Sequence, residues 1–266
     1  MSTAWLAHER YCEAIGTETD ALRAAVRGAD LGRQVPTCPD WTLGDLAVHV
    51  GQAHRWAETI VRTRATEDVP EDAEHIPGYA PAPGADALDT WLAEGAALLA
   101  ATLREAGPDL PVWTWARPQR AGFWARRMTI ETLVHRADAA FAAGRDFTAA
   151  PDLAADGIDE WLEIVTDPAA VAEDPDLARL RGTGQILHLH ATDSPELSGP
   201  PAEWVIVRDP DGPHWRREHA KGDVALRAPL TDLLLAFQRR LPLDSERLEL
   251  FGDRALFDHW LTHTAF

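Results

Sequence analysis

The spacing of apolar residues changes part-way along this chain, and that change governs what it folds into. Through residue 144 they recur every three to four positions, the repeat of helices with one buried side. Residues 4–26 place Leu6, Tyr11, Ile15, Leu22 and Val26 on one side and end near Gly28. Thr42, followed three places on by Asp45, has the form of a capping box with Asp in place of Glu, and opens a second helix from residue 43 to about 64. A third covers residues 88–105, with Leu88, Trp91, Leu92, Leu98, Leu99 and Leu103 available for a core. A fourth covers residues 123–144, where Gly144 suits a helix end. Four such helices are what a helical bundle requires. The stretch 35–41, punctuated by Pro36 and Pro39, reads as a loop. The acidic, proline-rich stretch 67–86 reads as a long surface loop suited to cover the mouth of a site.

Beyond residue 145 the texture differs. After one more helical stretch at 151–165, Ile186, His188 and His190 alternate with Leu187, Leu189 and Ala191 as in a strand over 184–192. Three further strands are expected at 203–208, 214–218 and 223–227, separated by Asp-Pro, Asp-Gly and Lys-Gly turn signals. Pro229 opens a short apolar-faced helix at 230–239, and 253–262 closes the chain as a helix. The expected class is therefore α+β: a four-helix bundle over residues 1–145, then a smaller α+β domain over 146–266. No internal repeat or low-complexity tract interrupts it.

With 266 residues, 45% of them hydrophobic and 26% charged, the chain has globular proportions. A formal charge of -18 argues against nucleic acid or an anionic membrane as the main partner, though it gives no oligomeric number. Neither a secretory leader nor an apolar run of membrane-spanning length is evident, so a cytoplasmic location is expected. Two cysteines, Cys12 in the first helix and Cys38 beside Pro39, fit a reducing compartment and read as packing or loop residues. Eleven tryptophans are read as packing anchors, with one or two lining a pocket.

Chemistry is concentrated in the fourth helix. Glu131 and His135, four apart, share one helical face. His49, on the same face of the second helix as Leu46, Ala53 and Trp56, points toward the bundle and is the best third partner. Two imidazoles and a carboxylate form a zinc ligand set, with bonds of about 2.0–2.2 Å and one position left open in catalytic sites. Asp45 and Asp138 are placed to orient His49 and His135. The run Glu-Thr-Leu-Val-His lacks the two-histidine, internal-glutamate pattern of helical metallopeptidases, which disfavours peptide hydrolysis. His188 and His190 share a strand face and invite a second metal, but no partner ligands stand near them in sequence, so they read as exposed or hydrogen-bonded side chains.

The segment Val35-Pro36-Thr37-Cys38-Pro39-Asp40-Trp41-Thr42-Leu43-Gly44-Asp45-Leu46-Ala47-Val48-His49-Val50-Gly51 resembles the mycothiol-dependent maleylpyruvate isomerase family, within the DinB-like metalloenzymes. So do Phe123 to Met128, Glu131, and His135-Arg136-Ala137-Asp138. Leu187 to Asp193, Leu230 to Leu235, and Arg240-Leu241 resemble that family's second domain. The resemblance implies a DinB-like four-helix domain whose zinc ligands are His49, Glu131 and His135, with mycothiol, a low-molecular-weight thiol, as cosubstrate. It implies a small electrophilic, carboxylated metabolite as the other substrate. Addition of the thiol across a cis double bond, rotation and elimination give an isomerase; retention of the adduct gives an S-transferase. Arg240 falls on an active-site arginine and would hold a substrate carboxylate as a catalytic residue, with Arg127 a further candidate; a solvated helix-end arginine is the competing reading. Family members often carry Gly-Arg where this chain has Arg239-Arg240. Two alternatives stay open: a non-catalytic metal-containing binding protein, and a thiol-independent zinc hydrolase or lyase.

Overall fold

The computed structural model describes residues 5–193 and 201–264. They fall into two compact units, Leu6–Phe147 and a second from Thr148 onward that takes in Trp5. The first unit comprises α1 (His8–Val26), a hairpin of β1 (Gln34–Val35) and β2 (Cys38–Thr42), then α2 (Leu43–Thr63), α3 (Ala85–Ala106) and α4 (Ala121–Ala142). The four helices stand where the apolar repeat places them. The hairpin replaces the expected loop: Gln34 pairs with Thr42 and Val35 with Cys38, a short ladder in which Pro39 has no N–H to donate.

Thr42 caps α2 as expected. Its hydroxyl accepts from the Asp45 N–H at 3.1 Å, and the Asp45 carboxylate accepts from the Thr42 N–H at 3.0 Å. Helix α4 packs against α1 and α2 and is buried on nearly all sides, which makes it the centre of the bundle. Leu22, Val35, Leu43, Leu46, Ala47, Val50, Leu92 and Ala139 are wholly inaccessible and form one apolar cluster. Each buried Leu or Val there contributes about 1.5–3 kcal/mol. A Cβ on Gly51 would lie 2.0 Å from the Trp91 ring, so only glycine lets α2 and α3 approach this closely. Arg55 lies 4.0 Å over that ring and donates to the Trp91 carbonyl at 2.7 Å.

The second unit contains α5 (Pro151–Val165), α6 (Pro168–Glu173), a 3₁₀ turn (Leu177–Leu180), β3 (Gln185–Ala191), β4 (Glu203–Asp209), β5 (Gly212–Arg216), β6 (Val224–Ala228), α7 (Leu230–Phe237), β7 (Glu249–Gly252) and α8 (Arg254–His263). The sheet order is β5-β4-β3-β6-β7, antiparallel except for the β3–β6 pair. The expected strands all form. Strand β7, short and mostly exposed, has no alternation that would have announced it.

Register sorts the two sheet faces. Leu187, Leu189 and Ala191 line up with Trp204, Ile206, Val224, Leu226 and Ala228, all buried. This face meets α5, since Trp204 Nε1 donates to Asp159 at 2.7 Å, and α7, which packs on β3 and β6. The opposite face carries His188 and His190. Among the described residues no helix is long and apolar enough to cross a membrane.

Candidate metal centre

Successive turns of α4 stack Arg127, Glu131 and His135 in one row, and α2 brings His49 to the same point. His49 Nε2 lies 3.1 Å and His135 Nε2 3.0 Å from Glu131 Oε1, while Arg127 Nη2 donates to Glu131 Oε2 at 2.8 Å. The two imidazole rings stand nearly perpendicular, with centroids 5.1 Å apart. Trp41, from the hairpin, lies 4.6 Å from the His49 ring and 5.8 Å from the His135 ring.

A second layer fixes His135. Its Nδ1 lies 2.9 Å from Asp138 Oδ2, and Asp138 is fully buried. Thr37 donates to Asp138 Oδ1 at 2.5 Å, and the Cys38 sulfur lies 3.6 Å from Oδ2. The hairpin thus buttresses a carboxylate that holds an imidazole. Sequence reading left Thr37 and Cys38 out of the site, and Trp41 as well; their only signal was a place inside the segment that carries the resemblance. Asp138 stands where it was expected. Asp45 does not orient His49: its carboxylate accepts from the Thr42 N–H and hydroxyl at the helix cap.

Burial opposes ionisation of Glu131, but His135, His49 and Arg127 outweigh it and hold the carboxyl well below its usual range. Burial likewise disfavours a charged His135, yet Glu131 and Asp138 raise it to about 9. In the metal-free protein the trio thus pairs one carboxylate with one imidazolium, and a divalent ion would replace that proton as the cation between the same ligand atoms. Its three ligand atoms lie within 4.8 Å of one another. Bonds of about 2.0–2.2 Å to a tetrahedral ion separate ligands by roughly 3.3–3.6 Å, so the set fits with small adjustments. The open side is at His49, whose side chain is 36% exposed against 9% for His135.

The 64–84 connection borders this opening. Trp56 Nε1 donates to the Val69 carbonyl and Trp91 Nε1 to the Gly78 carbonyl, each at 2.7 Å, pinning the connection to α2 and α3. Glu71, on it, is raised by burial and is near enough to feel the charges of His49 and Glu131.

Residues 12–140 match the mycothiol maleylpyruvate isomerase N-terminal domain, and residues 152–259 match the MDMPI C-terminal domain. The chain belongs to the mycothiol maleylpyruvate isomerase family. This is a family of enzymes. The crystal structure of the mycothiol-dependent maleylpyruvate isomerase shares its fold, with a TM-score of 0.60 at 16% identity over 92% of this chain and 93% of that one. A histidine-to-alanine mutant of that isomerase superposes with a TM-score of 0.59 at the same identity and coverage. No curated protein sequence matches.

Two arginines remain to be placed in this member of the mycothiol maleylpyruvate isomerase family. Arg127, a candidate carboxylate anchor, pairs with Glu131 inside the trio. Arg240 lies in the second unit, just past α7, where its Nη1 donates to the Gln238 carbonyl at 2.8 Å. The Arg240 N–H bonds the Leu235 carbonyl and the Arg239 N–H the Ala236 carbonyl, at 2.6 and 3.0 Å, a Schellman closure. Its left-handed position, φ 62°, falls on Arg239. Glycine is the residue that adopts this backbone without strain, which accounts for Gly-Arg in the resemblance.

Proposed function

We propose that the chain is a zinc-dependent enzyme that uses mycothiol to isomerise, or to form a thioether with, a small electrophilic and carboxylated metabolite. The observation that carries this reading is the convergence of His49 Nε2, Glu131 Oε1 and His135 Nε2 beside a solvent-facing edge. These three residues would hold the ion. When bound, a divalent ion supplies positive charge that keeps a thiol deprotonated at neutral pH, and a coordination position for its sulfur.

The chain's own groups prepare that site. Asp138 beside Nδ1 fixes the His135 tautomer that leaves Nε2 as a lone-pair donor. Arg127 keeps Glu131 anionic by engaging the oxygen that faces away from the imidazoles. Trp41 packs beside both rings and restrains their orientation. Arg240 is assigned to hold the substrate carboxylate through its planar donor set.

The thiolate sulfur forms a bond to one carbon of an activated cis double bond, and the π pair moves to the conjugated carbonyl. Rotation about the resulting single bond and expulsion of the sulfur restore the double bond as trans. In a transferase a proton is added instead and the thioether persists. The test is His49→Ala, read by metal content and by electrophile consumption with and without mycothiol. Loss of one metal equivalent together with thiol-dependent turnover is expected. Unchanged occupancy and rate would overturn the role of His49; turnover without thiol would identify a hydrolase or lyase, and thiol retention without product a binding protein.

A further inference from the structure

A separate group of convergent ligands lies wholly within the second unit. His188 and His190 project from the same face of β3, and β4 places Glu203 directly opposite His190. The crossover from β5 to β6 must pass β4 and β3 in the sheet order, and it does so over this face. It brings His219 to Glu203 and seats Gly222 against β3, where an added Cβ would lie 3.1 Å from the Cβ of His188 and 2.6 Å from the Val224 carbonyl oxygen. Residue 222 must therefore be small for the crossover to press this closely. His188 and His190 are hydrogen-bonded, as expected, and no partner ligands stand near them in sequence; Glu203 and His219 arrive through strand register and a crossover, which sequence proximity does not reveal.

His188 Nε2 and His190 Nδ1 each lie 2.9 Å from Glu203 Oε2, and His219 Nδ1 lies 2.6 Å from the same atom. Ring centroids are 5.3–6.2 Å apart. One carboxylate oxygen offers roughly two lone-pair directions, so three imidazole nitrogens on Oε2 are more than it can accept in good geometry. A cation at their centre resolves the crowding by taking a lone pair from each group.

We propose that His188, His190, Glu203 and His219 form a second metal site, one for a borderline transition-metal ion of the zinc, cobalt or nickel kind. All four ligand atoms lie within 4.8 Å of one another. Three imidazole nitrogens with one carboxylate oxygen match such ions, whereas magnesium and calcium favour oxygen ligands throughout. The side chains grade from inside to outside: His188 is 6% exposed, Glu203 17%, His190 26% and His219 73%. Three ligands are thus set by the sheet, and His219 closes the site from the solvent side. Four protein ligands describe a structural site that ties the crossover down.

The experiment uses the full chain, stripped of metal by chelator and titrated with Zn²⁺ by calorimetry, with Co²⁺ as a visible-absorbing substitute. Two equivalents are expected for the wild type, and one for His49→Ala, whichever reaction the bundle performs. Adding His219→Ala to that background should weaken the remaining equivalent at least about tenfold, since removing a group that merely supports a ligand already costs 10–100-fold. His219 is exposed, so folding should survive; Glu203→Gln supplies the second variant. A wild-type stoichiometry of one, with that equivalent lost in His49→Ala, overturns the proposal. So does a second equivalent whose affinity is the same in both variants. Because the readout is occupancy, failure of the proposed catalysis leaves this test intact.

Discussion

Glu131 and Glu203 each stand among imidazoles, but helices and a sheet hold those imidazoles in different ways. Glu131 divides its oxygens, one toward His49 and His135 and the other toward Arg127. A row of turns on α4 supplies the guanidinium, the carboxylate, one imidazole and the Asp138 buttress, so each group restrains the next. Glu203 instead meets three imidazoles at a single oxygen, two from one strand and one from a crossover. The helical cluster gains rigidity from supports on its own element. The sheet cluster depends on register for three members and on a crossover for the fourth.

The largest expected effect breaks the helical support alone. Asp138→Asn keeps the shape but removes the charge beside His135 Nδ1, and should lower metal affinity at the bundle by about 10–100-fold. The equivalent assigned to the sheet should be untouched. Competition titration with a chromogenic chelator reads both. Equal weakening at the two clusters would mean that they are not independent, and the contrast drawn between them would fail.

Acid provides a second probe of the difference. His54, fully buried in the bundle, has Nε2 2.8 Å from the Thr132 hydroxyl, while its buried Nδ1 has no partner among the described residues. Burial, aided by the charge of Arg55, depresses it to about 4 from 6.5. A depressed folded value means that the unfolded chain binds the proton first. The stabilisation is therefore complete above about pH 6.5 and is lost as pH falls toward 4. Between pH 7 and 5 the loss is about 2 kcal/mol. His135 shifts the other way: its contribution in metal-free protein is fully present below 6.5 and lost as pH rises through about 9, so over this window it moves slightly in the opposite sense, equally with and without His54. Denaturant unfolding at both pH values, with and without His54→Phe, isolates the slope. The same pH dependence in both proteins would remove His54 as its source.

The contrast also explains what the sequence made legible. A four-residue spacing becomes a shared helical face by geometry alone, so Glu131 with His135 is readable, and the apolar side of α2 orients His49. The same rule places Asp138 one turn from His135. Asp45 shows where local reasoning divides: the capping box and an orienting role both fit its position, and the nearer backbone N–H took the carboxylate. In the sheet, alternation shows that His188 and His190 share a face, but pairing His190 with Glu203 requires register across strands, and bringing in His219 requires the path of a crossover. The hairpin that carries Thr37, Cys38 and Trp41 was hidden because one proline in its turn and one in a short, irregular ladder read as loop.

The smallest expected effect tests whether the two units share a device. Each ends a helix on an exposed arginine in the left-handed region, Arg64 after α2 at φ 53° and Arg239 after α7 at φ 62°. An L-residue there is strained by about 1–2 kcal/mol, while glycine loses roughly 0.4–1 kcal/mol more through the freedom of the unfolded chain. Arg64→Gly and Arg239→Gly should therefore each stabilise their own unit by roughly 1 kcal/mol, visible as a later midpoint in urea. Arg64→Ala and Arg239→Ala keep the left-handed backbone and should give no such gain. A gain at Arg64 with a loss at Arg239 would show that the second arginine makes a stabilising contact that outweighs its strain. Equal gains would mean that both helix ends carry the same backbone penalty, whatever each neighbouring cluster binds.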